Sequence, residues 1–393
     1  MKKLLFALLA LLPLLANAQS FDFDLTKQSK KGEPFNLSID VPDGNYLVRI
    51  EVGSKKRAAE TTVRAENRRL FIENLATKKG QLQTVEFVVN KHSPVIRDGQ
   101  NVLLKERERT TFNWDNQLTL EFNGDKPAIG KIHIERDTLC PTLYLCGNST
   151  VTDQASEPWA SWGQMITRWF GKGAAVANLA ESGLTAGTFL AQKRLDKILT
   201  TLRPNDVVVC EFGHNDEKEK GPGTGAWYHY ATNLKKFIDQ VRGKGATIVF
   251  CTPTQRRMFD AAKTKIVNSH GDFPAAMKAV AEREQVPLID LTTLTTTFYE
   301  TLGYEGSKRS LVHYPKGTFP GQDKALADNT HFNPYGAYEV AKMVATGLRN
   351  LNLPIAQQLR PEFTDFDPAH PDDYNAFKWV PSQITNTVKP DGN

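Results

Sequence analysis

The chain has 393 residues, 40% of them hydrophobic and 24% charged, with a formal net charge of +5. That length exceeds one ordinary core and implies two units, and the composition is that of a soluble globular protein rather than a disordered one. No Lys/Arg run with interleaved aromatics accompanies the slight basicity, so nucleic acid is not an expected partner, and an acidic substrate is compatible with the charge without being required by it.

Met1-Lys-Lys, the apolar run Leu4 to Leu15 and Ala16-Asn17-Ala18 give a basic start, a short hydrophobic stretch and a small-x-small cleavage site. This is the pattern of a secretory signal peptide over residues 1–18, with a mature chain beginning near Gln19 and exported to the periplasm or the extracellular space. The apolar run is too short to span a bilayer and no later one is long enough, so membrane insertion is not expected. No cysteine lies beside the cleavage site, so a lipid anchor is not expected either.

Residues 19–137 carry short alternating runs separated by turn residues. Pro42-Asp43-Gly44-Asn45 is a turn signal, and runs follow at Tyr46 to Val52, Arg69 to Ile72, Thr84 to Val89, Leu118 to Phe122 and Ile129 to Ile134. With no helical period between them, they predict an antiparallel β-sandwich domain. Such a module either binds sugar or covers a face of its neighbour.

Over residues 138–352 the period changes. Buried strands are expected at Leu143 to Cys146, Ala175 to Asn178, Asp206 to Glu211, Thr247 to Cys251 and Pro287 to Asp290. Helices are expected between them at Trp159 to Phe170, Phe189 to Thr201, Tyr230 to Arg242 and Pro274 to Glu284. A final helix through Leu348 opens with Asn333 as N-cap and Pro334 at its first position. This alternation predicts an α/β domain, a parallel sheet covered by helices on both faces. Residues 353–393, rich in Pro, Asp and aromatics, are expected to wrap that domain as a tail. Cys140, Cys146, Cys210 and Cys251 read as buried thiols ahead of disulfides, and no Cys-x-x-Cys or His-x-x-x-His spacing suggests a metal site.

Four motifs fall at the carboxyl ends of the predicted strands, where open α/β sheets bind ligands. They are Gly147-Asn-Ser-Thr150, Ala180-Glu-Ser-Gly-Leu-Thr185, Gly213-His-Asn-Asp216 and Asp328-Asn-Thr-His331, the last in a loop before the final helix. Acyl transfer by a hydroxyl needs a base within hydrogen-bond reach and a carboxylate that fixes the tautomer of the base. Ser149 is the candidate nucleophile, His331 the base and Asp328 its orienting acid. The backbone N–H groups of Ser149 and Gly183 and the side-chain amide of Asn215 are candidate donors to a developing oxyanion. Each motif alone has a structural alternative: a polar turn at 147–150, a turn glycine at 183, a helix cap at 215–216. His214, Arg256, Arg257 and His270 lie in neighbouring loops as candidates for substrate contact.

The order Ser, Gly, Asn, Asp-x-x-His resembles that of the SGNH (GDSL-type) hydrolases, with Ser149, Gly183, Asn215 and Asp328-x-x-His331 matching their four blocks. The resemblance implies a flavodoxin-like three-layer α/β/α domain, serine as nucleophile, histidine as base, glycine and asparagine in the oxyanion hole, and no metal or other cofactor. A narrower resemblance, to the rhamnogalacturonan acetylesterases of carbohydrate esterase family 12, rests on Trp159-Ala-Ser-Trp-Gly-Gln164, Glu211-Phe-Gly-His-Asn-Asp216, Thr252-Pro-Thr-Gln-Arg-Arg257, Ser269-His-Gly-Asp-Phe-Pro274 and Thr330-His-Phe-Asn333. The front half, with Val63-Arg-Ala-Glu-Asn-Arg-Arg-Leu70, looks like the galactose-binding-like module of two-domain members. One departure stands out: the first block usually reads Gly-Asp-Ser, and here Asn148 replaces the aspartate. Absence of Gly-x-Ser-x-Gly also argues against an α/β-hydrolase elbow.

The resemblance implies a carbohydrate esterase that removes acetyl groups from pectic polysaccharide, and residues 1–18 add export. Separately, the loop position of Arg256 and Arg257 suggests that one of them meets galacturonate carboxylates. Two alternatives stand beside it. One is an esterase of this superfamily acting on xylan, other acylated glycans or lipids; the other is a non-catalytic glycan-binding protein.

Overall fold

The computed structural model describes residues 20–97 and 99–391; the expected signal peptide, residues 1–18, lies outside them. The front half is built of strands β1 Ser20–Asp24, β2 Phe35–Asp40, β3 Gly44–Gly53, β4 Ala59–Ala65, β5 Arg69–Thr77, β6 Leu82–Lys91, the short pair β7 Val95–Arg97 and β8 Gln100–Asn101, β9 Gln117–Asn123 and β10 Ile129–Asp137. One antiparallel sheet has the order β1-β10-β3-β6 and a second the order β2-β9-β4-β5. Alternation decides their packing. Tyr46, Val48, Ile50 and Val52 of β3 and Leu118, Leu120 and Phe122 of β9 bury into one shared core, closing a β-sandwich.

Five parallel strands follow: β11 Thr142–Gly147, β12 Ala175–Asn178, β13 Val207–Glu211, β14 Thr247–Cys251 and β15 Leu288–Ile289, in the order β12-β11-β13-β14-β15. Their side chains divide between two cores. Leu143, Leu145, Val207 and Val209 enter one, while Tyr144, Cys146, Val208 and Cys210 enter the other. Short α1 Trp162–Met165, long α6 Leu291–Gly306 and α7 Pro334–Asn350 cover the first face; α2 Ala186–Ala191, α3 Arg194–Leu199, α4 Ala231–Arg242 and α5 Phe273–Arg283 cover the second. This is the expected three-layer α/β/α arrangement with flavodoxin-like strand order. The order reverses between β11 and β13, so their carboxyl ends open the crevice in which such sheets bind ligands.

Several elements differ from the sequence expectation. Trp159 and Ala160 are not helical, Ala160 bridging to Phe332, and helix begins only beyond Ser161, whose N–H donates to Gln164 Oε1 at 3.1 Å. The helix expected over 189–201 is two, divided at Lys193, whose φ is +61°. Helix α6 occupies a stretch where none is expected. In the final helix, Asn333 Oδ1 accepts from the Gly336 N–H at 3.0 Å, the cap the sequence signals. All four cysteines are buried free thiols, and burial pushes Cys140 up to about 12.

Beyond residue 353 the chain forms one 3-10 turn, Pro354–Gln358, and otherwise runs irregularly over both halves. Lys378 pairs with Glu60, the Arg64 guanidinium lies 4.3 Å from the centre of the Trp379 ring, and Ser382 Oγ donates to Glu121 at 3.0 Å.

Candidate active site

Strand β11 ends where no side chain fits. A Cβ on Gly147 would stand 2.5 Å from Val151 Cγ2 and 2.9 Å from the Glu211 carbonyl oxygen. In the turn that follows, Asn148 Oδ1 accepts from the Thr150 N–H at 3.1 Å, and the Asn148 carbonyl accepts from Val151 and Thr152 at 3.1 and 2.9 Å. This is an Asx-type turn, which needs only the acceptor that Asn and Asp share. Ser149 therefore sits at the strand's carboxyl end, 2% exposed, its own carbonyl accepting from Gln154 Nε2 at 3.0 Å. Beneath the turn, the Thr150 hydroxyl bridges Asn148 Oδ1 and Glu211 Oε1, 2.9 Å from each. Glu211 also takes Trp162 Nε1 at 2.5 Å and the Thr254 N–H at 3.1 Å. Burial outweighs these donors and raises its carboxyl above the ordinary range.

The Asp-x-x-His motif lies on a strand, not in the loop the sequence suggests. Strands β16 Leu311–Tyr314 and β17 Leu326–Phe332 pair antiparallel, and the motif belongs to β17. Residues three apart on a regular strand face opposite sides. Here Phe332 pairs with Leu311 and Ala327 with His313, so residues 328–331 stand opposite Val312 alone in a wide bulge. Asp328 folds back into that bulge. Its Oδ1 accepts from the N–H groups of Thr330 and His331 at 2.8 and 2.9 Å, and its Oδ2 is 2.9 Å from His331 Nδ1. Burial works to raise the Asp328 carboxyl, but the imidazole and the two N–H donors win and hold it well below the usual carboxylate range. Trp159 meets the His331 ring edge-on, centroids 5.7 Å apart, and the Ala160 N–H donates to the Phe332 carbonyl at 2.9 Å. The segment that follows Ser149 is thereby tied to the strand carrying His331.

Gly183 has φ +79°, the left-handed region that glycine enters at no steric cost. Asn215 Nδ2 donates to the Leu184 carbonyl at 3.0 Å, and its Oδ1 accepts from Lys218 Nζ at 3.2 Å, tying the loop after β13 to the loop after β12. Asp216 adds a second tie, accepting from the N–H groups of Ala186 at 2.8 Å and Gly213 at 3.0 Å; burial pushes its carboxyl up to about 7. Gly183 and Asn215 line one open cavity with Lys105, Thr185, Lys218 and Asp391.

Three of the remaining candidates, His214, Arg256 and His270, form a largely buried polar cluster beside these loops. His214 Nε2 is 3.2 Å from Thr254 Oγ1, and its ring packs edge-on against His270. Burial, with the nearby charges of His270, Arg256 and His331, holds His214 well below its ordinary range. His270 lies between Glu217 Oε2 at 2.8 Å and the Thr254 carbonyl at 2.9 Å, while Arg256 pairs with Glu217 at 2.6 Å. Arg257 is engaged inside the fold by Ser307 Oγ at 2.9 Å, Asn329 Oδ1 at 3.3 Å and the Tyr304 carbonyl. Lys105, Arg107, Lys389 and Asp391 reach the site without a sequence signal of their own. The run Glu106-Arg-Glu-Arg109 reads locally as a solvated charged face, and only the fold brings Arg107 Nε within 2.9 Å of Glu181 Oε1.

Among the described residues no cluster of His, Cys, Asp and Glu could hold a metal ion, and no helix is long and apolar enough to cross a membrane.

Residues 145–337 match the GDSL-like lipase/acylhydrolase family. A rhamnogalacturonan acetylesterase of Bacillus subtilis strain 168 is 39% identical over 219 residues, covering 55% of this chain and 93% of that protein. A probable rhamnogalacturonan acetylesterase of the same organism is 33% identical over 220 residues, 55% of this chain and 96% of the relative. An uncharacterised esterase, again of B. subtilis, is 29% identical over 327 residues, 82% of this chain and 75% of that protein, a match long enough to enter the β-sandwich. A serine-bearing turn at the switch point, a hydrogen-bonded Asp–His pair on the neighbouring hairpin and these relatives agree: the chain belongs to the GDSL-like lipase/acylhydrolase family and is a serine carboxylic ester hydrolase.

Proposed function

We propose that this esterase is exported and removes acetyl groups from acetylated pectic polysaccharide, rhamnogalacturonan foremost. Ser149 Oγ attacks the acetyl carbonyl while His331 takes its proton. With Nδ1 bonded to Asp328, Nε2 is the nitrogen that does so, and the carboxylate steadies the imidazolium that forms. The N–H groups of Ser149 and Gly183 and the Asn215 amide stabilise the oxyanion. The tetrahedral intermediate expels the sugar oxygen, protonated by His331, leaving acetyl-Ser149. Water, deprotonated by the same imidazole, then releases acetate and restores the serine.

The observation that carries this reading is the 2.9 Å Asp328–His331 bond in a bulge tied to the segment following Ser149. The substrate class draws its support from two relatives, a rhamnogalacturonan acetylesterase at 39% identity and a probable one at 33%. The test is acetate release from a panel of acetylated pectins, acetylated xylan and long-chain esters, with wild type and Ser149→Ala. Preferential release from pectin, abolished in the variant, is expected. Preference for xylan or for long acyl chains overturns the substrate; full activity without Ser149 overturns the mechanism.

A further inference from the structure

Residues 384–391 run along the rim of the candidate site rather than away from it. Glu157 N–H donates to the Ile384 carbonyl and Asn386 N–H to the Glu157 carbonyl, each at 2.9 Å. Trp159, whose ring abuts His331, donates from Nε1 to the Asn386 carbonyl at 2.8 Å. Further on, Lys389 Nζ stands 3.4 Å from Asp328 Oδ2, and Asp391 Oδ2 lies 2.6 Å from Arg107 Nη1 and 3.2 Å from Lys105 Nζ. The segment therefore ends with a carboxylate held by two cations beside Gly183.

Those cations are built into the site. Lys105 Nζ donates to the Ser182 carbonyl at 2.6 Å; Arg107 donates from Nη2 to the same carbonyl at 2.9 Å and from Nε to Glu181 Oε1 at 2.9 Å. The loop that carries Gly183 thus fixes both heads, and Glu181 offsets only one of the two charges. A Cβ on Gly183 would stand 2.9 Å from Asp391 Cβ and 3.1 Å from Lys105 Nζ, so the glycine makes room for what lies there. The Asp391 side chain is 57% exposed, and an exposed ion pair is held weakly enough to exchange.

We propose that Lys105 and Arg107 form the carboxylate subsite of the substrate groove, and that Asp391 occupies it until the uronate of an acidic glycan takes its place. The Arg fork and the Lys point charge suit a planar carboxylate. The subsite lies within a side chain's length of Gly183, so the uronate bound there is the acetylated sugar's close neighbour or that sugar itself. The inference deepens the pectic reading above and rests on it for the identity of the natural ligand.

Two measurements decide it. First, kcat/KM is compared on a uronate-containing and a neutral acetylated oligosaccharide. In the Lys105→Gln/Arg107→Gln double variant the acidic-to-neutral ratio falls about tenfold or more, the worth of one charge-assisted hydrogen bond, through KM. Arg107→Lys, which keeps the charge, retains part of the preference, and Asp391→Asn raises the ratio by removing the internal competitor. Second, unacetylated oligogalacturonate is titrated calorimetrically into Ser149→Ala protein. Binding weakens by the same factor in the double variant and tightens with Asp391→Asn. An unchanged ratio and unchanged binding in the charge variants mean an internal latch only and overturn the subsite. If the double variant does not fold, the Asp391→Asn arm decides alone, no tightening being the overturning result. Failure of wild type to release acetate from any acidic glycan sinks the functional reading alone, because the calorimetric arm needs no hydrolysis.

Discussion

At the scale of single residues the candidate site depends on acceptors more than on charges. Asn148 keeps the turn because one oxygen is enough to gather the Thr150 N–H and hydroxyl. That position was legible in the sequence as a departure from Gly-Asp-Ser, and its tolerance follows from the shared acceptor. Asp328 is the opposite case, because its charge is the point. Asp328→Asn is expected to lower kcat by about 10⁴-fold with little change in KM, since the amide favours the wrong imidazole tautomer; steady-state kinetics check it. Asp328 also leaves a thermodynamic mark. Its folded value lies below the ordinary 3.8, so it stabilises the fold above that pH and the contribution is lost as pH falls below it. Acid unfolding of Asp328→Asn should lack that component, and superimposable acid transitions for the two proteins would count against it.

Among the elements, strands were easier to read than helices for a physical reason. A buried parallel strand is a short apolar run that its neighbours cannot redefine, so Ala175–Asn178 and Thr247–Cys251 fall where expected. Helix α6 begins Leu291-Thr-Thr-Leu-Thr-Thr-Thr, a composition that favours strands. It is helical because tertiary packing overrides that preference: Leu291, Phe298 and Tyr299 bury into the core shared with α7, and Asp290 caps the first turn. The hydroxyls find acceptors one turn back, Thr295 Oγ1 at the Leu291 carbonyl (2.6 Å) and Thr296 Oγ1 at that of Thr292 (2.8 Å). The bulge in β17 was hidden for another reason. Asp-x-x-His signals the pairing of its side chains but not that a strand must buckle to allow it. The β4–β5 turn offers a test within the sandwich. Glu66 is buried there, accepts the Thr119 N–H at 2.9 Å through Oε1, and has no partner for Oε2 among the described residues. Burial pushes its carboxyl up to about 8 from the ordinary 4.5. The proton it retains stabilises the fold at low pH, and that contribution is lost as pH rises toward and through 8. Glu66→Gln should therefore gain in Tm over wild type with increasing pH between about 5 and 9, and parallel Tm curves would refute the assignment.

Seen as one molecule, the sandwich braces the turn region it precedes. Arg69 at the start of β5 reaches Asp153 Oδ2 at 2.6 Å with both side chains fully buried, and Asp153 Oδ1 accepts from Asn178 Nδ2 at 2.7 Å. Next to it Arg68 pairs with Glu157 at 2.6 Å and donates to the Trp159 carbonyl at 2.8 Å. That this Arg-Arg pair serves the other half was not legible in the sequence, because each residue of a long-range ion pair is locally only a charge. Asp153→Ala leaves a buried guanidinium uncompensated and should destabilise the protein by about 3–5 kcal/mol in chemical denaturation, with a loss of kcat as the turn loosens. A change within about 0.5 kcal/mol, the ordinary range for a surface site, would remove the brace from the account.

The sulfur atoms carry a last consequence. Cys146 and Cys210 stand side by side on adjacent strands, and they and Cys251 are covered by the layers around the sheet. Cys140 packs against Val88 and Ala175 between the two halves, and all four sulfurs are unlinked. Folding thus draws on no oxidant, disulfide isomerase or redox gradient. Whichever compartment the polypeptide matures in, glutathione can neither unlock this architecture nor is it needed to complete it.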